Sequence, residues 1–532
     1  MNKKNFLWQI IIFVFPFIIY INTLQNNFFF GDDQNIVLNN IYLRDWKYFS
    51  KFFTQNYTAG SGVLYNYWRP FQLTVYSLIV HTIGIKPWPF HLAGILFQSL
   101  CGICIFAILS KLLRSAVSSS IIAFIVLAWL AHPIANEELA GTTGIASPGY
   151  LFGMLFGALA FLFYEERGKL RWYFASLAGF VSALFFKESA VIFPGLVLGL
   201  HITAVKMGLL CRIRLRGYIY RHLVFWLIAA AYISSRLTFL NFNNTLNFYN
   251  ESNLFTQHLT FRLNTMFTVL AFGLRIVFFP FGLHPERSWQ VFTNFFSVSV
   301  LMPFLVLAAI VILAVLNWKR NPLFSFGAFW FFFSYLPMSN IVAKINALVW
   351  DHWFYAPSLG IFLMILSLIS LARNNLLKRA SFISLVLFTI IFSAITFIRN
   401  PRWRNTATFS RYILSYEPEA TRVWSNLALA LTEEGNDSEA IDCYLKAIRQ
   451  ADVYPQTHHN LANIYLKSGQ YDLAEREFKR AIQIDDTFYH SYLALGRLYL
   501  SEGRLNEAKT YFRKAGQIYP YLPKEIIGLI SK

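Results

Sequence analysis

Residues 28–33 read Phe28-Phe29-Phe30-Gly31-Asp32-Asp33, directly after a hydrophobic segment from Phe6 to Leu24. An apolar run of about 20 residues is enough to cross a bilayer. The two carboxylates therefore stand at the mouth of a membrane-embedded chain. Carboxylates are costly to keep beside lipid, so their default reading is functional. Asp32, with Asp33 as the alternative, is expected to be a general base. The plainer reading of Gly31-Asp32-Asp33 is a turn and a helix N-cap, and the rest of the chain has to decide between the two.

The chain has 532 residues, 56% hydrophobic and only 14% charged, with 55 Phe. Soluble domains average about 45–50% apolar, so most of this protein is read as lipid-embedded. The net charge of +19 lies largely in short loops between apolar segments, where Lys and Arg set orientation. Nucleic acid is not the expected partner. From Thr421 onward the composition turns polar, as in a soluble module. Of the Cys residues, Cys101 and Cys104 share one apolar segment, Cys211 sits in a basic loop and Cys443 in the polar module. No metal-ligand set or structural disulfide is expected from that spacing.

Hydrophobic windows predict eleven spans, near 6–24, 88–110, 117–134, 147–164, 172–187, 189–205, 222–240, 299–316, 323–340, 354–371 and 380–398. Lys3 and Lys4 place the N-terminus inside. Basic loops then alternate as the positive-inside rule requires: Lys111 and Arg114; Arg167 to Arg171; Lys206 to Arg221, with Arg212 and Arg214; Lys319-Arg320; Arg373 to Arg379. Leu263 to Leu283 would upset this alternation as a span, so it is expected to be re-entrant or interfacial. Phe71 to Ile85 is expected to lie in the interface. An odd number of spans puts the C-terminus outside, on the same side as Asp32-Asp33. The Asn-x-Ser/Thr triplets at Asn56, Asn243, Asn250 and Asn436 fall on that side too.

The polar tail carries an internal repeat. Gly435, Gly469 and Gly503 recur at 34 residues, as do Ala440, Ala474 and Ala508, and Ala447, Ala481 and Ala515. A 34-residue period with small residues at fixed places is the tetratricopeptide signature. The expected organisation is an all-α chain: a polytopic membrane domain at 1–400, a junction with a degenerate half-repeat at 401–420, and a solenoid at 421–532. Its units are 421–454, 455–488 and 489–522, followed by a short cap. Such an array presents a groove to a peptide or protein.

The outer loops gather most of the remaining polar groups: Arg69, His91, His132, Glu137-Glu138, Lys187-Glu188, Arg275, His284, Glu286, Arg287 and Asp351-His352. A lipid-linked phosphosugar would need cations for its phosphate at the bilayer edge, and Arg69, Lys187, Arg275 and His352 are the candidates. Its leaving group already carries charge, so one carboxylate base for the acceptor hydroxyl suffices. The structural alternatives are that Arg69 and Arg275 snorkel to headgroups, that Lys187-Glu188 is an ion pair, and that His91 is a helix-end hydrogen-bonding residue. No Walker loop, dinucleotide fingerprint, zinc-binding helix or nucleophile elbow occurs. A divalent cation at Asp32 or Asp33 is left open.

In order, Phe30-Gly31-Asp32-Asp33, Trp68-Arg69-Pro70, Pro89-Phe90-His91-Leu92, His132-Pro133 with Glu137, Lys187-Glu188, Leu336-Pro337-Met338-Ser339-Asn340 and Tyr355-Ala356-Pro357-Ser358 precede the repeats. This chain resembles the transmembrane and tetratricopeptide-repeat O-mannosyltransferase family and its bacterial relatives, within the GT-C glycosyltransferases. The resemblance implies an inverting enzyme that transfers a sugar, typically mannose, from a polyprenyl phosphate to protein Ser or Thr on the outer or lumenal face. It maps the family's first-loop aspartate onto Asp32, and its phosphate-side residues onto Arg69, Lys187 and the Asp351-His352 pair. Glu188 belongs to the same motif. The chain departs from the family at Gly94 and Gln98, at Gly144-Ile145, and at Asp351-His352, where relatives carry Glu-Arg; these departures bear on the donor. Two other functions compete: an inactive membrane anchor for a repeat scaffold, and a flippase, which would more naturally show matching broken spans. A bacterial inner membrane with periplasmic repeats is the expected setting; in a eukaryote it would be the endoplasmic reticulum.

Overall fold

The structure of the protein is a computed structural model that describes residues 3–29, 31–114, 116–211, 215–242, 254–345, 347–372, 374–519 and 524–531. Phe30 of the opening motif, the loop residues Arg212, Arg214 and Arg373, and the triplets at Asn243 and Asn250 lie outside the described residues. The secondary structure is helical throughout the described chain, which separates into two compact units, 1–405 and 406–532.

The first unit runs α1 (Lys3–Ile19), α2 (Pro70–Thr82), α3 (Trp88–Leu113), α4 (Ser119–Ala131), α5 (Asn136–Ala140), α6 (Ala146–Arg167), α7 (Leu170–Phe186), α8 (Phe193–Lys206), α9 (Leu215–Leu237), α10 (Leu254–Gln257), α11 (Leu259–Phe278), α12 (Val298–Asn317), α13 (Pro322–Tyr335), α14 (Tyr355–Ser370) and α15 (Asn375–Arg399). Among the described residues, eight helices are long and apolar enough to cross a membrane. A ninth span results if Ser119–Ala131 and Pro133–Ala140 count as one, bent by 42°. The expected eleven are thus not all met by length and apolarity. Leu170–Phe186 and Pro322–Met338 are shorter apolar helices. The first ends where Lys187 turns extended (φ −157°), and the second where Leu336-Pro337 tightens the chain into a 3-10 turn.

Side-chain contacts sort the helix ends into two groups. At one end the Ser119 hydroxyl donates to Asn5 (2.7 Å), Lys111 meets Glu166, and Arg114 reaches the Leu209 carbonyl. At the other, Asn26 bonds the Ala140 and Asn400 carbonyls, and Arg399 bonds that of Leu283. Two further helices make contacts at this second end. The Tyr76 hydroxyl of α2 donates to the Thr142 carbonyl. On α11, Arg262 reaches the Asn340 carbonyl and His132 the Val277 carbonyl, while Gly273 abuts Phe354. Leu259–Phe278 has the length and apolarity of a span; it packs along α12, with Phe267 against Phe304, and also meets loops of the second end at Arg262 and Val277.

Helix contacts in the bundle rest on small residues, as expected where lipid supplies no hydrophobic drive between helices. Gly149, Gly153 and Gly157 line one face of α6. A Cβ at Gly153 would stand 2.8 Å from the Gly179 carbonyl oxygen of α7. Likewise a Cβ at Gly327 of α13 would stand 2.6 Å from the Gly360 carbonyl of α14.

The second unit opens with α16 (Thr406–Leu414), which packs on α17 (Thr421–Glu433). The pairs continue as α17 with α18 (Asp437–Gln450), α19 (Pro455–Lys467) with α20 (Tyr471–Ile484), and α21 (Tyr489–Ser501) with α22 (Leu505–Ile518), and α23 (Lys524–Ser531) closes the row. The repeating alanines Ala440, Ala474, Ala508, Ala447, Ala481 and Ala515 are fully buried between paired helices. Gly435, Gly469 and Gly503 turn each pair with φ of 83°, 73° and 76°, a region glycine enters without strain. Ile526 of α23 joins the last repeat's core.

Candidate active site

Gly31, at φ 94°, opens the turn that carries the two aspartates, and they end in opposite environments. Asp33 is buried, and its Oδ2 accepts from the Phe29 N–H (2.7 Å) and the Thr142 hydroxyl. Burial pushes its carboxyl up to about 6; the hydrogen bonds from Thr142 and Phe29 oppose the rise and the Asp32 charge adds to it. Asp33 thus ties the turn to the loop after α5. Asp32 is exposed. Its charge is felt by Tyr57 and Tyr67, which flank Arg69: the guanidinium lies 4.6 Å from the Tyr67 ring centre and 5.6 Å from that of Tyr57.

Arg69 follows the extended stretch before Pro70 and makes a two-pronged ion pair with Glu188, Nη2 to Oε1 at 2.9 Å and Nε to Oε2 at 3.3 Å. Its neighbour in sequence, Lys187, does not pair with Glu188. Its Nζ donates to the Ser147 hydroxyl (2.8 Å), which donates to Glu138 Oε1 (2.5 Å), and Nζ lies 3.8 Å from that same oxygen. Glu137, beside Glu138, instead meets His352 Nδ1 at 2.6 Å. Asp351, beside His352, instead receives Arg287 at 2.7 and 2.9 Å and the His284 N–H. Three charged dipeptides therefore each divide between two partners. The result is one continuous line: Arg69, Glu188, Lys187, Glu138, Glu137, His352, Asp351, Arg287.

The remaining sequence candidates fall outside this line. His132 is fully buried, bonded through Nε2 to the Val277 carbonyl and through Nδ1 to the Ile134 N–H; both nitrogens serve the fold. His91 is buried with Nδ1 3.4 Å from the Leu139 carbonyl, and its Nε2 has no hydrogen-bond partner among the described residues. Arg275 is exposed on α11, with its guanidinium 5.3 Å from the Phe272 ring centre, and joins no ion pair among the described residues. Where the chain departs from its look-alikes, Gln98 accepts from the buried Tyr355 hydroxyl. Among the described residues no three His, Cys, Asp or Glu side chains form a metal-ligating group.

Sequence reading did not assign roles to Thr142, Ser147, Tyr57, Tyr67, Arg287 or Asn400. Asn400 is buried and knots three segments: it donates to the Ile19 carbonyl and Asn22, and accepts from Asn136 and Asn26. Arg287 and Glu138 sat within polar clusters already singled out. Thr142 and Ser147 are lone hydroxyls with no spacing to mark them.

Residues 419–487 and 454–520 match the tetratricopeptide repeat family model. The chain is also 22% identical over 456 residues to the human protein O-mannosyl-transferase TMTC3, covering 77% of this chain and 47% of that protein. The mouse protein of the same name is 22% identical over 145 residues, 27% of this chain and 16% of its own length. The chain spans at most about half the length of these curated relatives. Among solved structures, MamA is 18% identical over 23% of this chain and 72% of its own, with a TM-score of 0.22. The tetratricopeptide domain of Arabidopsis OM64 is 24% identical over 21% and 93%, with a TM-score of 0.20; scores that low carry no argument. The chain is thus a many-helix membrane protein joined to a tetratricopeptide array, distantly similar to a named O-mannosyl-transferase.

Proposed function

We propose that the membrane unit is an inverting GT-C-type glycosyltransferase that moves a mannose-like sugar from a polyprenyl phosphate to a Ser or Thr hydroxyl of a protein. The observation that carries this reading is the exposed Asp32 carboxylate, whose charge is felt by the two tyrosines that flank Arg69, at the bundle end where Arg69 and Lys187 enter the line of ion pairs. Asp32 takes the proton of the acceptor hydroxyl. The oxygen attacks the anomeric carbon from the face opposite the phosphate. The bond from that carbon to the phosphate oxygen breaks, and polyprenyl phosphate leaves with the electron pair, so the new glycosidic bond is inverted. Asp33 holds the turn.

Arg69 and Lys187 are the phosphate ligands in this reading. Arg69 uses Nε and Nη2 on Glu188, leaving Nη1 to face a phosphate oxygen. Lys187 has one near hydroxyl partner and its carboxylate at 3.8 Å, so a donor remains. The His352–Glu137 pair and Asp351–Arg287 brace the far part of the line, and Arg275 stands as a headgroup contact. A resident divalent ion fits these residues poorly. Asp33 is turned inward, and Glu188, Glu138 and Glu137 are held by cations.

The contacts at the two ends support a chain that crosses eleven times, with α2 and α11 lying along the site end. It then leaves the membrane unit on the side of Asp32, which is periplasmic in a bacterial inner membrane and lumenal in the endoplasmic reticulum. The tetratricopeptide array is the acceptor-recruiting module in this scheme.

A second reading, an inactive anchor for a repeat scaffold, draws on the saturation of the charged line: Arg69, Lys187, His352 and Arg287 all carry a carboxylate partner. A sugar-transfer assay in membranes decides between the two, using polyprenyl-phosphate sugars, outer-side proteins as acceptors, and the variants Asp32→Asn and Asp33→Asn. Transfer lost in Asp32→Asn at unchanged protein level supports the enzyme. Equal transfer by both variants and wild type removes Asp32 as the base. No transfer by wild type, with proteins still captured by the array, favours the scaffold.

A further inference from the structure

The stretch from Asn56 to Arg69 closes into a compact loop. The Tyr57 N–H donates to the Tyr67 carbonyl (3.1 Å), and the Thr58 hydroxyl bridges Asn56 and the Val63 carbonyl, both at 2.8 Å. The fold therefore places Tyr57 and Tyr67 edge to face, with ring centres 5.8 Å apart and interplanar angle 89°. Arg69 covers both rings, and the exposed Asp32 lies within electrostatic reach of both hydroxyls. Tyr57 is only 4% exposed. Its ring and backbone are fully engaged, yet among the described residues neither its hydroxyl nor that of Tyr67 has a hydrogen-bonding partner.

Two unpartnered phenols, a carboxylate and a guanidinium with one free nitrogen thus border the same small region. That is a donor and acceptor set for a polyhydroxylated ring carrying a phosphate. An apolar ligand would leave the phenols unsatisfied. A simple anion would be repelled by Asp32 and Glu188. The geometry points to Tyr57 and Tyr67 as the contacts that read the hydroxyl groups of a hexose, with its phosphate against Arg69 and its anomeric carbon toward Asp32. This assignment rests on the glycosyltransferase reading and adds to it the residues that bind the sugar rather than the phosphate or lipid.

The test is binding to the full chain in nanodiscs, with polyprenyl-phosphate mannose and sugar-free polyprenyl phosphate as probes. Tyr57→Phe and Tyr67→Phe delete one oxygen each and keep the rings. Wild type is expected to bind the mannosylated lipid more tightly than the bare one. Each Phe variant should lose about five- to tenfold in affinity for the mannosylated lipid, the worth of one buried hydrogen bond, with the bare lipid unchanged. A merely structural role would weaken both lipids together, and that result overturns the sugar assignment. So does unchanged binding of the mannosylated lipid by both variants. In either of those cases, transfer that still depends on Asp32 leaves the enzyme reading standing. Failure of wild type to bind either lipid overturns both.

Discussion

At the end of the bundle away from Asp32, Lys111 meets Glu166 with both side chains about a fifth exposed, 22% and 24%, and Arg221, 35% exposed, meets the buried Glu165, 3% exposed. At the Asp32 end, Lys187 and Glu138 are 11% and 8% exposed and Arg287 and Asp351 11% and 5%. Both ends pair their charges, and each has partly exposed members, Glu188 at 34% among them, but only at the Asp32 end do four pairs string into a line. Charges at the first end sit where helices stop, which suffices to orient a membrane protein. Buried ion pairs gain little net stability from being there. Four linked pairs at one end are the setting that the proposed phosphate site would use.

The contrast can be broken by substitution. Asp32→Asn should reduce sugar transfer by about 10²- to 10⁴-fold, the usual share of a general base, with Asp33→Asn far milder; initial rates in membranes check this. Lys187→Met strands Glu138 in a buried site and should lower stability by about 3 kcal/mol, seen as a drop in thermal midpoint in detergent. Lys111→Met, its counterpart at the other end, should change stability by less than about 1 kcal/mol. Equal losses in the two Lys variants would erase the distinction between the ends.

A pH scan sharpens the role of Asp33. Its folded pKa stands near 6, above its ordinary 3.8, because of burial. Between those values the folded state binds more protons than the unfolded one. The contribution of Asp33 to stability is therefore fullest below about 4 and falls as pH rises to about 6. Asp33→Asn should flatten that decline in thermal midpoint between pH 4 and 7. A slope unchanged in the variant would assign it to other groups.

Much of this architecture was legible in sequence because it repeats or because it is expensive. The 34-residue recurrence of Gly435, Gly469 and Gly503 announced turns that only glycine adopts freely, and the structure has those turns. Arg69, Lys187 and Asp351 drew attention as charges in an apolar setting. Their partners could not be read off, because adjacency misleads: Lys187 touches Glu188 in sequence but pairs with Glu138, and Glu188 pairs with a residue 119 positions away. Asp32 and Asp33 were indistinguishable as letters. The Thr142 hydroxyl separates them, and no local pattern foretells a contact across 109 residues. Counting by length and apolarity gives eight or nine spans among the described residues against the expected eleven, because helices such as Leu170–Phe186 are short while Leu259–Phe278, expected to be re-entrant or interfacial, passes the test.

The glycine faces of α6–α7 and α13–α14 have a consequence for traffic through the bundle. Where two backbones touch with no side chain between them, rotamer changes have nothing to move aside. Those two joints act as welded staves in a barrel, with no room between their backbones for an intruding hydrocarbon. Under the proposed function, a polyprenyl tail that reaches Asp32 from the bilayer would have to slip between helices whose neighbours are held apart by side chains. Gly153→Leu, which would wedge a weld open, should disturb the fold long before it widened any path for lipid.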